Sequence, residues 1–368
     1  MDPSIWSRLP EELLDYILCF LPIKSIVNLR STCKRFKFIF LNPFFLSKNY
    51  PCSSSPFSSY LMLSHPHFNC YFPLYNSVSG TWRESSASRS LLNPCSSSSA
   101  LLSASNGLLC FHLPTSSTLL VYNLLSRSSI LVRFPKLPFS FEFLTLVSCP
   151  YGFKIFIYSS KSIFLYDSKT RSWRIFDGFD PILNDNIHQQ GVYCDGFLYF
   201  TISYPFSIVS FDLENGIWRI CFDKMPTNEL TFARLVIADE TEQGKRGKKL
   251  YVIGGEGRNG ISRCLKLWEL EWQNGNIENN SNKWVEVESL PELVYKKLVS
   301  VCYHNYEHIY CFWHNGMICI CCYCWPEILY YRVARRTWHW LPKCPDLPDK
   351  WSCGFRWFSF VPKLYASF

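Results

Sequence analysis

The sequence predicts a small all-α N-terminal module followed by an all-β propeller, with six blades expected, and three observations carry that reading. Apolar residues near the N-terminus recur with a helical period, short strand-like runs replace them from about residue 60 onward, and an aromatic, Asp/Asn, Trp pattern keeps returning along the chain. At 368 residues the chain has room for two or three domains. Aromatic residues make up 17%, the flat side chains that half-buried strands hold well and a purely helical fold does not require.

Composition narrows the function classes. Hydrophobic residues at 48% exclude global disorder, and a net charge of +8 spread along the chain favours solubility more than nucleic acid. The 18 cysteines are too dilute for a disulfide scaffold, and Met1-Asp2-Pro3-Ser4 is not the start of a secretory signal. They read as reduced, mostly buried thiols. The longest apolar run, Ile318 to Trp325, is too short to span a bilayer. The expectation is a soluble intracellular protein of the nucleus or cytoplasm, with no nucleic acid or membrane as partner.

The helical module is placed at residues 1–48. Pro10 can open a helix because its missing N–H would be an orphan there, and Glu11 and Glu12 suit the positive end of the dipole. Leu13, Leu14, Ile17, Leu18 and Leu21 then fall on one face, and Pro22 stops the series. A second series, Ile26, Val27, Leu29, Cys33, Phe36 and Phe40, runs through basic Arg30, Lys34, Arg35 and Lys37 until Asn42-Pro43. Such a short segment exposes more apolar surface than it can enclose, so either the rest of this chain or a partner protein covers it.

The order Leu9-Pro10-Glu11-Glu12-Leu13, Ile17, Leu21-Pro22-Ile23-Lys24-Ser25 and Leu29-Arg30-Ser31-Thr32-Cys33-Lys34-Arg35-Phe36 resembles an F-box. Phe36 stands where many members carry Trp, which keeps an aromatic ring in place. The resemblance implies that Leu9, Pro10, Leu13, Ile17, Leu21, Pro22, Leu29, Cys33, Lys34 and Phe36 dock a Skp-type adaptor, which bridges to a cullin.

After a linker at 49–59, residues 60–368 carry the repeats. Leu74-Tyr75-Asn76 leads to Trp82, Leu165-Tyr166-Asp167 to Trp173, and Ser210-Phe211-Asp212 to Trp218, with Trp six residues after the acid or amide. Tyr331 to Trp338 keeps the aromatic-to-Trp spacing with Arg332 in the acidic slot, Tyr122-Asn123 leads to Ser129, and a looser copy ends at Trp284. The anchors 82, 129, 173, 218, 284 and 338 stand 47, 44, 45, 66 and 54 residues apart. Blade-length periods of this kind mark a propeller. The polar loop Asp239 to Lys249 and the tract Asn274 to Lys283 are read as the cause of the first long gap, and the cysteine-rich hairpin as the cause of the second. The Asp or Asn starts the turn between a blade's third and fourth strands, and the Trp buries its ring against the next blade. No long amphipathic helix is expected beyond residue 60. Gly354 to Leu364 is expected to complete the first blade as a closing strand.

Gly191 to Phe200, Lys249-Leu250-Tyr251-Val252-Ile253-Gly254-Gly255 and His308-Ile309-Tyr310-Cys311-Phe312 resemble kelch repeats, and with the F-box they resemble the plant F-box/kelch proteins, as does Ser105 to Cys110. Only one blade keeps the Gly254-Gly255 doublet.

Other motifs are read as structural. Gly255-Glu256-Gly257-Arg258-Asn259-Gly260 matches a dinucleotide fingerprint, but Ile261 to Trp272 alternates like a strand where a helix N-terminus is needed. Cys319 and Cys321 face one way along a strand, Cys322 and Cys324 the other, so no metal is expected. His304, His308 and His314 share one parity and invite the alternative of a channel active site. The basic tract Lys245 to Lys249 is read as solvated loop, and the Ser-rich stretch Ser85 to Ser105 as an inter-strand loop. No catalytic residue and no cofactor are expected. The resulting expectation is a non-catalytic substrate receptor of a ubiquitin ligase, whose propeller holds an unknown target protein; a ligase-independent scaffold is the other alternative.

Overall fold

The computed structural model describes residues 10–19, 59–68, 71–83, 99–134 except 114, 115, 117 and 125–127, 143–179 except 150, 151, 160 and 161, 188–271 except 204, 223, 243 and 244, 283–361 except 349, and scattered positions between 21 and 36. Helix α1 (Glu11–Cys19) opens as its proline promises, the amides of Leu13 and Leu14 both donating to the Pro10 carbonyl at 3.1 Å. The expected second helical series lies outside the described residues apart from isolated positions.

The strands form a six-bladed β-propeller of four-stranded antiparallel sheets. The second blade is β4 (Ala100–Ser105), β5 (Leu108–Leu113), β6 (Thr118–Asn123) and β7 (Ser128–Arg133); the third is β8 (Phe143–Cys149), β9 (Gly152–Ser159), β10 (Ser162–Asp167) and β11 (Ser172–Asp177). The fourth is β12 (Val192–Cys194), β13 (Phe197–Ser203), β14 (Phe206–Asp212) and β15 (Trp218–Phe222); the fifth is β16 (Leu230–Glu242), β17 (Lys245–Arg258), β18 (Ile261–Glu271) and β19 (Lys283–Ser289). The sixth is β20 (Ile309–His314), β21 (Met317–Cys322), β22 (Trp325–Arg332) and β23 (Thr337–Trp340).

The first blade combines both ends of the strand series. β1 (Tyr60–Ser64), β2 (Leu74–Asn76) and β3 (Thr81–Trp82) are joined by β24 (Arg356–Phe360), which pairs antiparallel with β1 from Tyr60 opposite Phe360 to Ser64 opposite Arg356. The closing strand expected within Gly354 to Leu364 is this one. It takes the inner place and touches β4 and β20, the innermost strands on either side.

The core is divided into six apolar seams, one between each pair of neighbouring blades. Alternation along a strand explains this: Leu61 and Leu63 pack toward the sixth blade, Tyr60 and Met62 toward the second. Because both faces are covered, the middle strands read as unbroken apolar runs. The cysteines obey the same parity, Cys319 and Cys321 packing toward the first blade and Cys322 and Cys324 toward the fifth. Burial pushes the Cys322 thiol up to about 12, which keeps it protonated.

The turn residues of the repeat are where the Asp/Asn pattern puts them. Asn76 Oδ1 accepts from the amides of Val78 and Ser79, Asp167 Oδ1 from Lys169, and Asp212 Oδ1 from Glu214 and Asn215, each at 2.8–3.1 Å. Each following Trp reaches backward round the ring. Trp82 Nε1 donates to Pro342 O (3.1 Å), Trp173 to Arg133 O (2.9 Å), Trp218 to Asp177 O (3.2 Å) and Trp284 to Lys224 O (3.0 Å), every acceptor lying at or just past the outermost strand of the preceding blade. Trp338 packs on Tyr331 at 4.8 Å, but its Nε1 is buried without a partner. In the second blade Ser129 leaves the latch out.

Gly254, Gly255 and Gly257 are required by close approach. A Cβ on Gly255 would lie 2.1 Å from Ser262 Oγ, and one on Gly257 2.0 Å from Ile261 O. The fingerprint-like run therefore ends β17, turns through Asn259 and Gly260 at φ +54° and +75°, and enters β18. No helix follows it.

Five expectations are corrected. A helix, α2 (Glu292–Cys302), follows Pro291 and packs Leu298 and Cys302 into the seam between the fifth and sixth blades. This helix, and not the cysteine-rich hairpin, lengthens the second gap. Asp239 to Lys249 is no free loop, because β16 and β17 pair out to Glu242 opposite Lys245, and the same pairing puts the basic tract on a strand. The end of the Ser-rich stretch, Ala100 to Ser105, is the inner strand β4.

Candidate functional site

Two surfaces follow from this frame. On α1, Pro10 and Glu12 are exposed, Leu13 and Tyr16 remain 46% and 44% accessible, Ile17 is half-buried and Leu18 is buried. Leu13 sits in the first turn, where a core-facing helix would hide its leucine. Leu21, Leu29 and Phe36 are half-buried, Cys33 and Lys34 are exposed, and Leu9 and Pro22 lie outside the described residues.

The second is the axis of the ring, where the innermost strands leave polar groups that no neighbouring strand in the sheet can satisfy. Gln189 Oε1 accepts from Cys311 N (2.9 Å) while its Nε2 donates to Cys311 O (3.1 Å), so one amide completes the inner edge of β20 as a further strand would. Gln190 Nε2 donates to Leu102 O (2.7 Å), and its Oε1 accepts from Ser103 Oγ (3.0 Å), whose oxygen also accepts from Leu146 N. Arg234 is 1% exposed and donates to three carbonyls: Nε to Ile309 O (2.6 Å), Nη1 to Ala233 O (2.8 Å) and Nη2 to Tyr306 O (2.7 Å). These groups tie blades to one another at their inner edges.

The three histidines of one parity do not converge. His304 Nδ1 meets the Tyr306 hydroxyl beside the end of α2, whereas His308 precedes β20 and pairs with His188 Nε2 at 3.3 Å. His314, at the far end of β20, contacts Ser59 Oγ (3.1 Å), Ser77 Oγ (2.9 Å) and Ser359 Oγ (2.8 Å). That set joins the sixth blade to both sides of the closing strand pair. It holds no nucleophile with a base and an orienting acid, and among the described residues no group of three or more His, Cys, Asp or Glu could hold a metal ion.

Burial drives the His314 pKa down to about 3, so the ring is neutral in the folded protein. The unfolded chain takes up a proton near pH 6.5 that the folded one refuses. Stability is therefore complete above about pH 6.5 and is expected to fall by about 1.4 kcal/mol per pH unit below it, until the folded His314 itself titrates. Denaturant midpoints between about pH 6.5 and pH 5 check this: His314→Asn should flatten the slope, and an unchanged slope would contradict the assignment.

Sequence reasoning missed Gln189, Gln190, Arg234 and Arg356. For the two arginines a signal existed, a single charge inside an otherwise apolar strand, Phe232-Ala233-Arg234-Leu235-Val236 and Phe355-Arg356-Trp357-Phe358. No described helix is long and apolar enough to cross a membrane.

Comparison with known proteins adds the following. Residues 6–48 match the F-box domain. Over its whole length the chain is 49% identical to an F-box/kelch-repeat protein of Arabidopsis thaliana, across 379 residues that include 89% of that protein. The protein ABERRANT PANICLE ORGANIZATION 1 of Oryza sativa subsp. japonica is 24% identical over 99% of this chain and 90% of its own. The protein UNUSUAL FLORAL ORGANS of Arabidopsis thaliana is 23% identical over 94% of this chain and 80% of its own.

Proposed function

The chain belongs to the plant F-box/kelch-repeat proteins, and on that premise we propose that it is the substrate-receptor subunit of a Skp-cullin-F-box ubiquitin ligase. One observation carries this reading: a 43-residue match to the F-box, a family of domains that generally bind Skp-type adaptors, stands ahead of a six-bladed propeller. The adaptor docks on the helical module through Leu9, Pro10, Leu13, Ile17, Leu21, Pro22, Leu29, Cys33, Lys34 and Phe36. Its apolar members supply most of the binding energy, because desolvated anchors dominate such interfaces, while Lys34 and Arg35 steer association with an acidic adaptor. The propeller holds a target protein in the nucleus or cytoplasm. The subunit performs no chemistry; it raises the effective concentration of target near the charged ubiquitin carrier.

Changing Leu9 and Pro10 together to Ala is expected to abolish co-purification of the Skp-type adaptor while the thermal transition of the propeller stays in place. Retained adaptor with an intact transition would refute the docking assignment.

A further inference from the structure

At the axis a partly open cavity of about 250 Å³ lies between β4, β20, β24 and the segment before β12. Two arginines face this axis with opposite fates. Arg234 spends its donors on three carbonyls, whereas Arg356, the first residue of the closing strand, lines the cavity, and its guanidinium makes no hydrogen bond or ion pair with any of the described residues. Its guanidinium carbon lies 5.6 Å from the Phe358 ring.

A guanidinium removed from bulk water is held at a cost unless carboxylates, carbonyls or a ligand meet its five donors. None of the described residues lining the cavity is acidic. The nearest phenol on the lining, Tyr310, is spoken for, donating to Phe355 O (3.2 Å) and accepting from Trp357 N (2.7 Å). Tyr323 stacks on His188 at 4.2 Å, and His188 in turn meets His308. Burial, then the charges of Arg356, His308 and Arg234, hold His188 down to about 4. The pocket is thus positive, partly open, and without a counter-ion among the described residues. Such a fork of donors matches the planar pair of oxygens on a carboxylate or phosphate.

We propose that the propeller channel binds a small oxyanion, the carboxylate or phosphate group of a low-molecular-weight compound, with the Arg356 guanidinium as its principal donor. The cavity lies just below the usual range for small-molecule sites and suits a small head group. Because the ligand would touch β24, β4 and β20 together, its binding would tie the closing strand to both neighbouring blades. The proposal stands independently of adaptor docking.

The purified full chain is titrated with sodium phosphate and, separately, with sodium malonate, at ionic strength held constant with chloride. Thermal transition and tryptophan fluorescence are followed, since Trp313 and Trp357 line the cavity. At least one probe should raise the transition along a saturable curve, and which one does so identifies phosphate or carboxylate as the head group. Arg356→Met should lose that response while its transition without anion is no lower than that of the parent chain. Arg356→Lys keeps the charge but not the fork and should weaken the apparent Kd by roughly tenfold or more. No saturable response to either probe, or an undiminished response in both variants, would overturn the proposal.

Discussion

Trp218→Ala is expected to lower the stability of the ring by about 3 kcal/mol, the lower part of the range for aromatic truncations because one side of the ring remains in solvent. The indole packs against Phe211, Phe200 and Phe179 with centroids 5.0, 5.8 and 5.5 Å away, and its Nε1 ties the fourth blade to Asp177 O at the end of β11. Truncation removes apolar contact across a seam and leaves that carbonyl without its donor. Trp173→Ala, with the equivalent bond to Arg133 O, should behave alike, whereas Ser129→Ala should cost little because the second blade has no latch to lose. Urea unfolding measures all three. A Trp218→Ala midpoint within experimental error of the parent would show that the indole is surface decoration.

Arg234→Met is the second large effect, expected at about 3 kcal/mol or more. Three buried carbonyls, Ile309, Ala233 and Tyr306, would each lose a charge-assisted donor, at about 1–3 kcal/mol apiece, partly offset by relief from burying the charge. Two of those acceptors belong to the entry of the sixth blade, so the loss falls on the seam beneath α2. Arg234→Lys should recover only part, since one ammonium cannot span three acceptors. Equal stability of parent and Met variant in urea would mean that water replaces the guanidinium at no cost. The contrast with Arg356, whose Met variant should be no less stable without anion, separates an arginine that builds the ring from one that awaits a ligand.

The frame was legible in the sequence because its determinants are local. An Asp or Asn that folds back on its own backbone at 76, 167 and 212, and a Trp six residues later, are fixed by turn chemistry and show up as a period. The closing strand was legible too, since an apolar run left over after the last anchor must pair somewhere. Helix α2 was not. It ends at Tyr303 and His304, both at positive φ, where a glycine would have marked the stop, and its Leu293 is 81% exposed, so its apolar stripe is blurred. The axis was equally hidden, because Gln189 and Arg234 gain meaning only from carbonyls supplied by distant blades.

The pairing of Tyr60 with Phe360 has a consequence for how the molecule is made. Once synthesis has passed Trp340 but not yet reached Arg356, the chain holds the strands of five complete blades and a first sheet whose strand β1 shows a bare backbone edge. Local hairpins can form in any order, but circular closure waits until β24 has been made. A nonsense codon between Trp340 and Arg356 would yield an open horseshoe with an adhesive rim, a product suited to chaperone capture or aggregation instead of a weakened version of the finished ring.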